Sequence, residues 1–212
     1  MNYTALFKMK SPETFKDTLH IGVVHSLYDD HVQDMIVDYM KKNKDIAIKV
    51  TIEHSENLIP LIEDNQLDIA FTYLSTKSPK LICEPFAKDE IILVTGADNS
   101  LAKQSVTNEE LKSLPLLASG ILTESFDNWL HSIIPENYMY PLDINIISNV
   151  VPFLEANLGF SFMIKSSVEK YIKEGLLIEV SLAESTVPDM ESYMIINKKR
   201  INSEAVKRWL SN

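Results

Sequence analysis

One cysteine, five glycines and no long apolar run set the first limits on this 212-residue chain. A lone Cys83 excludes an intrachain disulfide, and its apolar setting reads as a small buried hydrophobe in a reducing compartment rather than a catalytic thiol. So few glycines leave no Gly-rich phosphate loop, and Ser119-Gly120 lacks the Gly-x-Ser-x-Gly elbow of a hydrolase. Residues 1–18 lack the apolar core and small-residue cleavage site of a signal peptide, and no run reaches transmembrane length. A soluble, cytoplasmic protein without membrane attachment is expected. Basic charge is scarce as well: 20 Lys and Arg stand against 30 Asp and Glu, a formal charge of −10. Without a cationic surface to neutralise phosphates, this segment is not expected to bind nucleic acid.

What is present is a hydrophobic pattern that switches between period 2 and period 3.6 from Leu19 onward, the mark of alternating strands and helices in an α/β fold. Leu19-His20-Ile21-Gly22-Val23-Val24-His25-Ser26 reads as a strand that delivers small and polar groups to a helix N-terminus, a common seat for a small ligand. The helix is expected over 29–43, with Val32, Met35, Ile36, Tyr39 and Met40 on its apolar face and lysines at its end. An alternating strand follows over 46–52, then a helix capped by Ser55 and kinked at Pro60. Strands at 67–73 and 90–95 flank a polar loop. Thr107 and Glu110 form a capping box, 116–119 is a short strand, and Thr123 or Ser125 caps a helix carrying Phe126, Trp129, Leu130 and Ile133. A strand at 143–147, a helix from Asn149 to about Gly159, a strand at 160–164 and a helix at 166–174 come next. Strands near 176–180 and 192–196 and a helix bearing Ala205, Val206, Trp209 and Leu210 complete the chain.

Leu19-His20-Ile21-Gly22, Gln66-Leu67-Asp68-Ile69-Ala70, Ile91-Ile92-Leu93-Val94, Asn99-Ser100-Leu101-Ala102 and Leu158-Gly159-Phe160-Ser161-Phe162, in this order and spacing, resemble the effector-binding domain of LysR-type transcriptional regulators. The resemblance covers residues 19–212 and implies a type 2 periplasmic-binding-protein-like fold. That fold has two Rossmann-like lobes joined by two crossover strands, with an effector in the cleft. It places 19–97 and 188–212 in lobe I and 98–187 in lobe II, with 1–18 as an arm or linker remnant. The winged helix-turn-helix that such regulators carry is not read in these residues. DNA contact, antiparallel dimerisation or tetramer formation, and effector sensing are what the resemblance implies for the whole regulator. Asn157 stands where the family usually has Gly, and Ile164 where it usually has Pro.

Carried onto this chain, the family's effector site falls at Val24, His25, Ser26 and Leu27, at Thr72 and Tyr73, at Ser119, Thr123 and Ser125, and at Ser148 and Asn149. Hydroxyls, amides and helix amino ends without arginine suit a compact anion or carboxylate. Ser26, Thr123 and Asn149 are equally good helix caps, and His25 can serve a neighbouring backbone group instead of a ligand. Val32, Met35, Ile59 and Ile62 are dimer-interface candidates, with packing on their own sheet as the competing reading. His25, Asp29, Asp30 and His31 have metal-ligand chemistry but match no compact zinc spacing. No metal, cofactor or catalytic cluster is expected. A solute-binding protein of a transporter is the second reading and an enzyme on the same scaffold the third.

Overall fold

The computed structural model describes residues 15–121, 123–135 and 137–212. Most of the expected N-terminal arm lies outside them, while Asp17 and Thr18 already belong to the first strand. In chain order the elements begin with β1 (Asp17–Val23) and α1 (His25–Leu27). A π turn (Tyr28–Val32) leads into α2 (Gln33–Lys42). Then come β2 (Ile46–Ile52), α3 (Ser55–Glu63), β3 (Ile69–Thr72), β4 (Leu81–Asp89), β5 (Ile91–Gly96) and β6 (Ser105–Val106). They continue through α4 (Asn108–Leu111), β7 (Leu117–Ala118), α5 (Glu124–His131), β8 (Leu142–Asp143), a 3₁₀ turn (Ile147–Val150) and α6 (Val151–Glu155). The last are β9 (Phe160–Ile164), α7 (Lys165–Lys173), β10 (Leu177–Leu182), β11 (Met190–Asn197) and α8 (Glu204–Leu210).

Two compact units result, one made, among the described residues, of 15–86 and 193–212 and the other of 87–192. The division falls at 86/87 and 192/193 rather than at 97/98 and 187/188, because β5 pairs antiparallel with β9 and β10 in the second unit's sheet.

The first unit is built on a five-stranded sheet in the order β2-β1-β3-β11-β4. β1 runs parallel to β2 and β3, as helical crossovers require, and β11 returns antiparallel beside β3. Alternation along the strands sends residues to two cores. Leu19, Ile21, Val23, Ile69, Phe71 and Ile196 pack with Ile36 and Tyr39 of α2 and with Val206 and Trp209 of α8. Ala70 and Ile195 face the other way, against Leu58 and Ile62 of α3. The Tyr39 hydroxyl donates to the Ala205 carbonyl at 2.9 Å, fixing α8 over the sheet. Val32 and Ile62 are fully buried in these cores, so neither is free to face a second protomer; Met35 and Ile59 are half-buried against them.

Several sequence expectations change in this unit. The first helical stretch starts at His25, with extended Val24 as its N-cap, so Ser26 lies inside the first turn and caps nothing. His54, not Ser55, is the N-cap residue of α3, and the helix continues through Pro60 to Glu63. β4 is a strand that the sequence reading leaves as loop and apolar run; Pro85 within it is tolerated because β4 is the sheet's edge. Cys83, expected buried, is half-buried on β4 and packs on the α3-side core.

The second unit holds a four-stranded sheet in the order β6-β10-β5-β9 and a small parallel pair, β7-β8. β5 and β9 are buried along their whole length, and α6 and α7 pack on this sheet. Thr107 and Glu110 form the expected reciprocal capping box of α4. The expected strand at 143–147 shortens to β8, because β7 offers only two residues to pair with and the chain then turns into 3₁₀ geometry. Asn149 sits within that turn and caps no helix. Asn157 adopts φ +59°, which explains why a residue able to enter the left-handed region stands at the end of α6.

Candidate functional site

In the first unit, the segment from Val24 to Tyr28 leaves the end of β1, and Tyr73 leaves the end of β3 beside it. The Val24 amide donates to the Phe71 carbonyl at 3.2 Å, which aligns the two strand ends. That alignment brings Ser26 Oγ to 2.9 Å from the Tyr73 hydroxyl. Ser55 supports the pair from α3: its Oγ accepts a 3.1 Å bond from the Tyr73 amide. Sequence reasoning assigned Ser55 to a cap, and only the three-dimensional approach of α3 to β3 reveals this second use.

Ser26 is buried and Tyr73 half-buried, so the phenol is the more open partner. Leu27 is fully buried in the α2-side core and is spent on packing. Thr72 is also fully buried, and its hydroxyl donates to the Leu74 carbonyl at 2.6 Å. His25 serves no backbone group in the way expected; its Nδ1 lies 3.3 Å from the Asp29 carboxylate, one helical turn on. The intervening π turn fits the frequent occurrence of such turns at functional sites.

In the second unit, Ser119 is buried and donates to the Phe162 carbonyl at 2.6 Å. Thr123 is the N-cap of α5, accepting from the Phe126 amide at 3.4 Å, with Ser125 Oγ 3.5 Å from its hydroxyl. Ser125, Ser148 and Asn149 are exposed. Gly120 connects the two segments that carry these residues. At φ +68°, a Cβ there would lie 2.7 Å from the Asn145 carbonyl oxygen, so glycine permits the close approach of the Ser119 loop to the strand end before Ser148.

Aromatic packing backs the α5 wall: the Phe162 ring meets Trp129 at 5.3 Å and Phe126 at 5.4 Å between centroids. Burial pushes the Asp127 carboxyl up, against the opposing pull of His131 one turn later. Burial likewise raises the Tyr140 phenol, reinforced by Tyr138, Asp127 and Asp143. Among the described residues, no group of three or more His, Cys, Asp or Glu is placed to hold a metal ion.

Residues 12–211 match the family model described as the LysR substrate binding domain. The chain belongs to this LysR family. Among curated proteins it is similar to the HTH-type transcriptional regulator CitR of Bacillus subtilis (strain 168), 23% identical over 190 residues, covering 87% of this chain and 65% of that protein. A probable RuBisCO transcriptional regulator of Chlorokybus atmophyticus is 22% identical over 203 residues, covering 91% and 64% respectively. The chain therefore spans just under two thirds of the length of these relatives. Among solved structures, the effector-binding domain of QuiR in complex with shikimate superposes with a TM-score of 0.72 at 17% identity, covering 92% of this chain and 93% of that one. The regulatory domain of MetR from N. meningitidis gives 0.71 at 16% identity, covering 92% and 91%. The effector-binding domain of BenM with its effector benzoate gives 0.72 at 14%, covering 93% and 90%. The chain shares the type 2 periplasmic-binding-protein-like fold of LysR effector-binding domains.

Proposed function

We propose that this LysR-family domain senses a small-molecule effector and thereby controls a transcriptional regulator, with DNA contacted by a part of the protein other than these residues. The observation that carries the reading is the family match over residues 12–211, joined to a fold shared with domains solved with shikimate and with benzoate. On the first unit, the ligand contacts proposed are Val24, His25, Ser26 and Tyr73. On the second they are Thr123, Ser125, Ser148 and Asn149. Leu27, Thr72 and Ser119 act behind them as packing and as hydrogen bonds to backbone.

The domain works by differential affinity: an effector that favours one arrangement of the regulator shifts its population toward that arrangement. It is proposed to be non-enzymatic and cytoplasmic; no helix among the described residues is long and apolar enough to cross a membrane. A homodimer or tetramer is the proposed assembly, with Met35 and Ile59 still available as contacts.

Thermal melts against a library of small anions, amines, sugars, amino acids and carboxylates test this reading, followed by operator binding of the whole regulator. A saturable rise in melting temperature, lost in Ser26→Ala, is expected. A flat response across the library, with operator binding equally unmoved, would count against effector sensing.

A further inference from the structure

One end of the second unit's sheet leaves three leucines open to solvent. β10 begins opposite the end of β5: Leu177 pairs with Gly96, and the Ala97 amide donates to the Leu176 carbonyl at 3.0 Å. On the other side of β5, Thr95 pairs with Phe160 and its hydroxyl donates to the Gly159 carbonyl at 2.8 Å. Leu176 and Leu158 thus approach the end of β5 from its two neighbouring strands. The following turn brings in Leu101, because Asn99 Nδ2 donates to the Thr95 hydroxyl at 2.7 Å and Asn99 Oδ1 accepts the Leu101 amide at 3.0 Å.

Leu101 is 52% exposed, Leu158 58% and Leu176 43%. Exposed leucines scattered singly are ordinary. Three placed around one strand end, on backbone tied down by the buried Asn99 and Thr95, make a preorganised apolar surface.

Its surroundings are acidic. Asp98, Glu155 and Glu174 lie beside these leucines in sequence, all exposed, and none meets a lysine or arginine among the described residues. The nearby lysines are engaged elsewhere: Lys103 with Glu110 at 2.6 Å, Lys173 with Glu169 at 3.0 Å, and Lys170 over the Tyr171 ring. Residues 87–192 hold 16 Asp and Glu against 6 Lys and no Arg. A second copy meeting this surface with its own would set carboxylates against carboxylates, and a polyanion would be repelled. An apolar segment carrying positive charge is what fits.

The chain has such a segment ahead of the described residues. Leu6-Phe7-Lys8-Met9-Lys10 interleaves apolar and basic side chains, and residues 1–14 carry two lysines against Glu13 alone. We propose that residues 1–14 dock on this end of the second unit's sheet, with Leu6, Phe7 and Met9 covering Leu101, Leu158 and Leu176, and with Lys8 and Lys10 facing Asp98, Glu155 and Glu174. A ligand or substitution that alters this end of the sheet would thereby act on the chain ahead of β1.

A photocrosslinking benzophenone side chain placed at Phe7 of the full chain tests the contact. After irradiation and digestion, crosslinks are expected on residues 97–101, 155–158 and 174–176. Glu155→Lys with Glu174→Lys should lower the yield about fivefold, the worth of two exposed ion pairs, and Lys8→Glu with Lys10→Glu should do the same. Combining all four should restore it, an outcome that a merely structural role for these residues would not produce. Salt at about 1 M should shrink the charge effects, while Leu158→Ser and Leu176→Ser should still lower the yield. These four positions are exposed, so circular dichroism should show the variants folded. Crosslinks that fall elsewhere or on no fixed position, or a yield that the leucine and charge variants leave unchanged, would overturn the proposal.

Discussion

Arg200 Nε lies 2.7 Å from Asp68 Oδ1, and the other oxygen of that carboxylate accepts the His20 amide at 2.8 Å. The guanidinium also reaches Asp17 Oδ1 and the Thr18 carbonyl, both at 3.2 Å, so one side chain from the C-terminal segment grips β1 and the approach to β3. Replacing Arg200 with Met removes three hydrogen bonds and leaves a carboxylate whose side chain is 8% exposed without its cation. The expected loss is about 2 kcal/mol in urea unfolding, moderated because the guanidinium is half-open to solvent. Asp68→Asn should cost less than Asp68→Ala, because the amide oxygen still accepts from His20. Equal losses for the two would contradict this account.

Asp17 gives the same grip a pH signature. Burial works to raise its carboxyl, but the Ala205 and Thr18 amides and the Arg200 guanidinium outweigh burial and hold it below the usual 3.8. A depressed carboxylate contributes stability above its unfolded value and loses it as pH falls through the folded one. Acid unfolding should therefore show an Asp17-dependent component below about pH 4, absent in Asp17→Asn.

In the α4 capping box, Lys103 and then the Thr107 amide hold the Glu110 carboxyl down to about 2 from 4.5. Its contribution is complete above pH 4.5 and fades as pH falls toward 2. Side-chain NMR should show the low midpoint, and Lys103→Ala should raise it. A Glu110 that titrates near 4.5 would show that the box does not hold in solution.

Gly120→Ala tests the link between the two candidate segments of the second unit. The substitution forces a Cβ to 2.7 Å from the Asn145 carbonyl at a φ of +68°. A loss of about 1–3 kcal/mol is expected, with amide resonances of Ser148 and Asn149 displaced and those of the α4 residues left in place. Unmoved Ser148 and Asn149 signals would separate the segments.

Gly96→Ala should be poorly tolerated for a reason that a second change cannot remove. Its Cβ would sit 2.2 Å from Asn157 Oδ1 and 2.3 Å from the Leu154 carbonyl oxygen. Asn157→Gly clears only the first of these clashes, so the double variant is expected to remain destabilised in urea titration. Full rescue would show that α6 moves freely against β5.

The element order and most strand cores were legible in the sequence because periodicity is a local property, and the Thr107–Glu110 box was legible because both partners lie within one turn. β4 was missed because Pro85 interrupts its pattern, and only its edge position makes proline harmless there. Ser26 was read as an effector contact or a helix cap, and the fold removes the cap by placing it inside the first turn. Its bond to Tyr73 joins residues 47 positions apart, which no local cap rule can see. Leu27, Thr72 and Ser119 were read as ligand contacts by their place after strand ends; their burial, and the bonds of Thr72 and Ser119 to backbone carbonyls, are tertiary facts that position in the sequence does not carry.

β11, which follows the whole second unit in sequence, lies between β3 and β4 in the first unit's sheet, and Trp209 of α8 closes the core beneath it. The second unit, by contrast, is one continuous segment. On a ribosome residues 15–86 must therefore wait, with the flank of β3 uncovered, until residues 193–212 emerge. At ordinary synthesis rates that delay is on the order of ten seconds. Of the two units, the later-encoded one is able to finish folding first, and the flank of β3 is the edge that needs protection until β11 arrives.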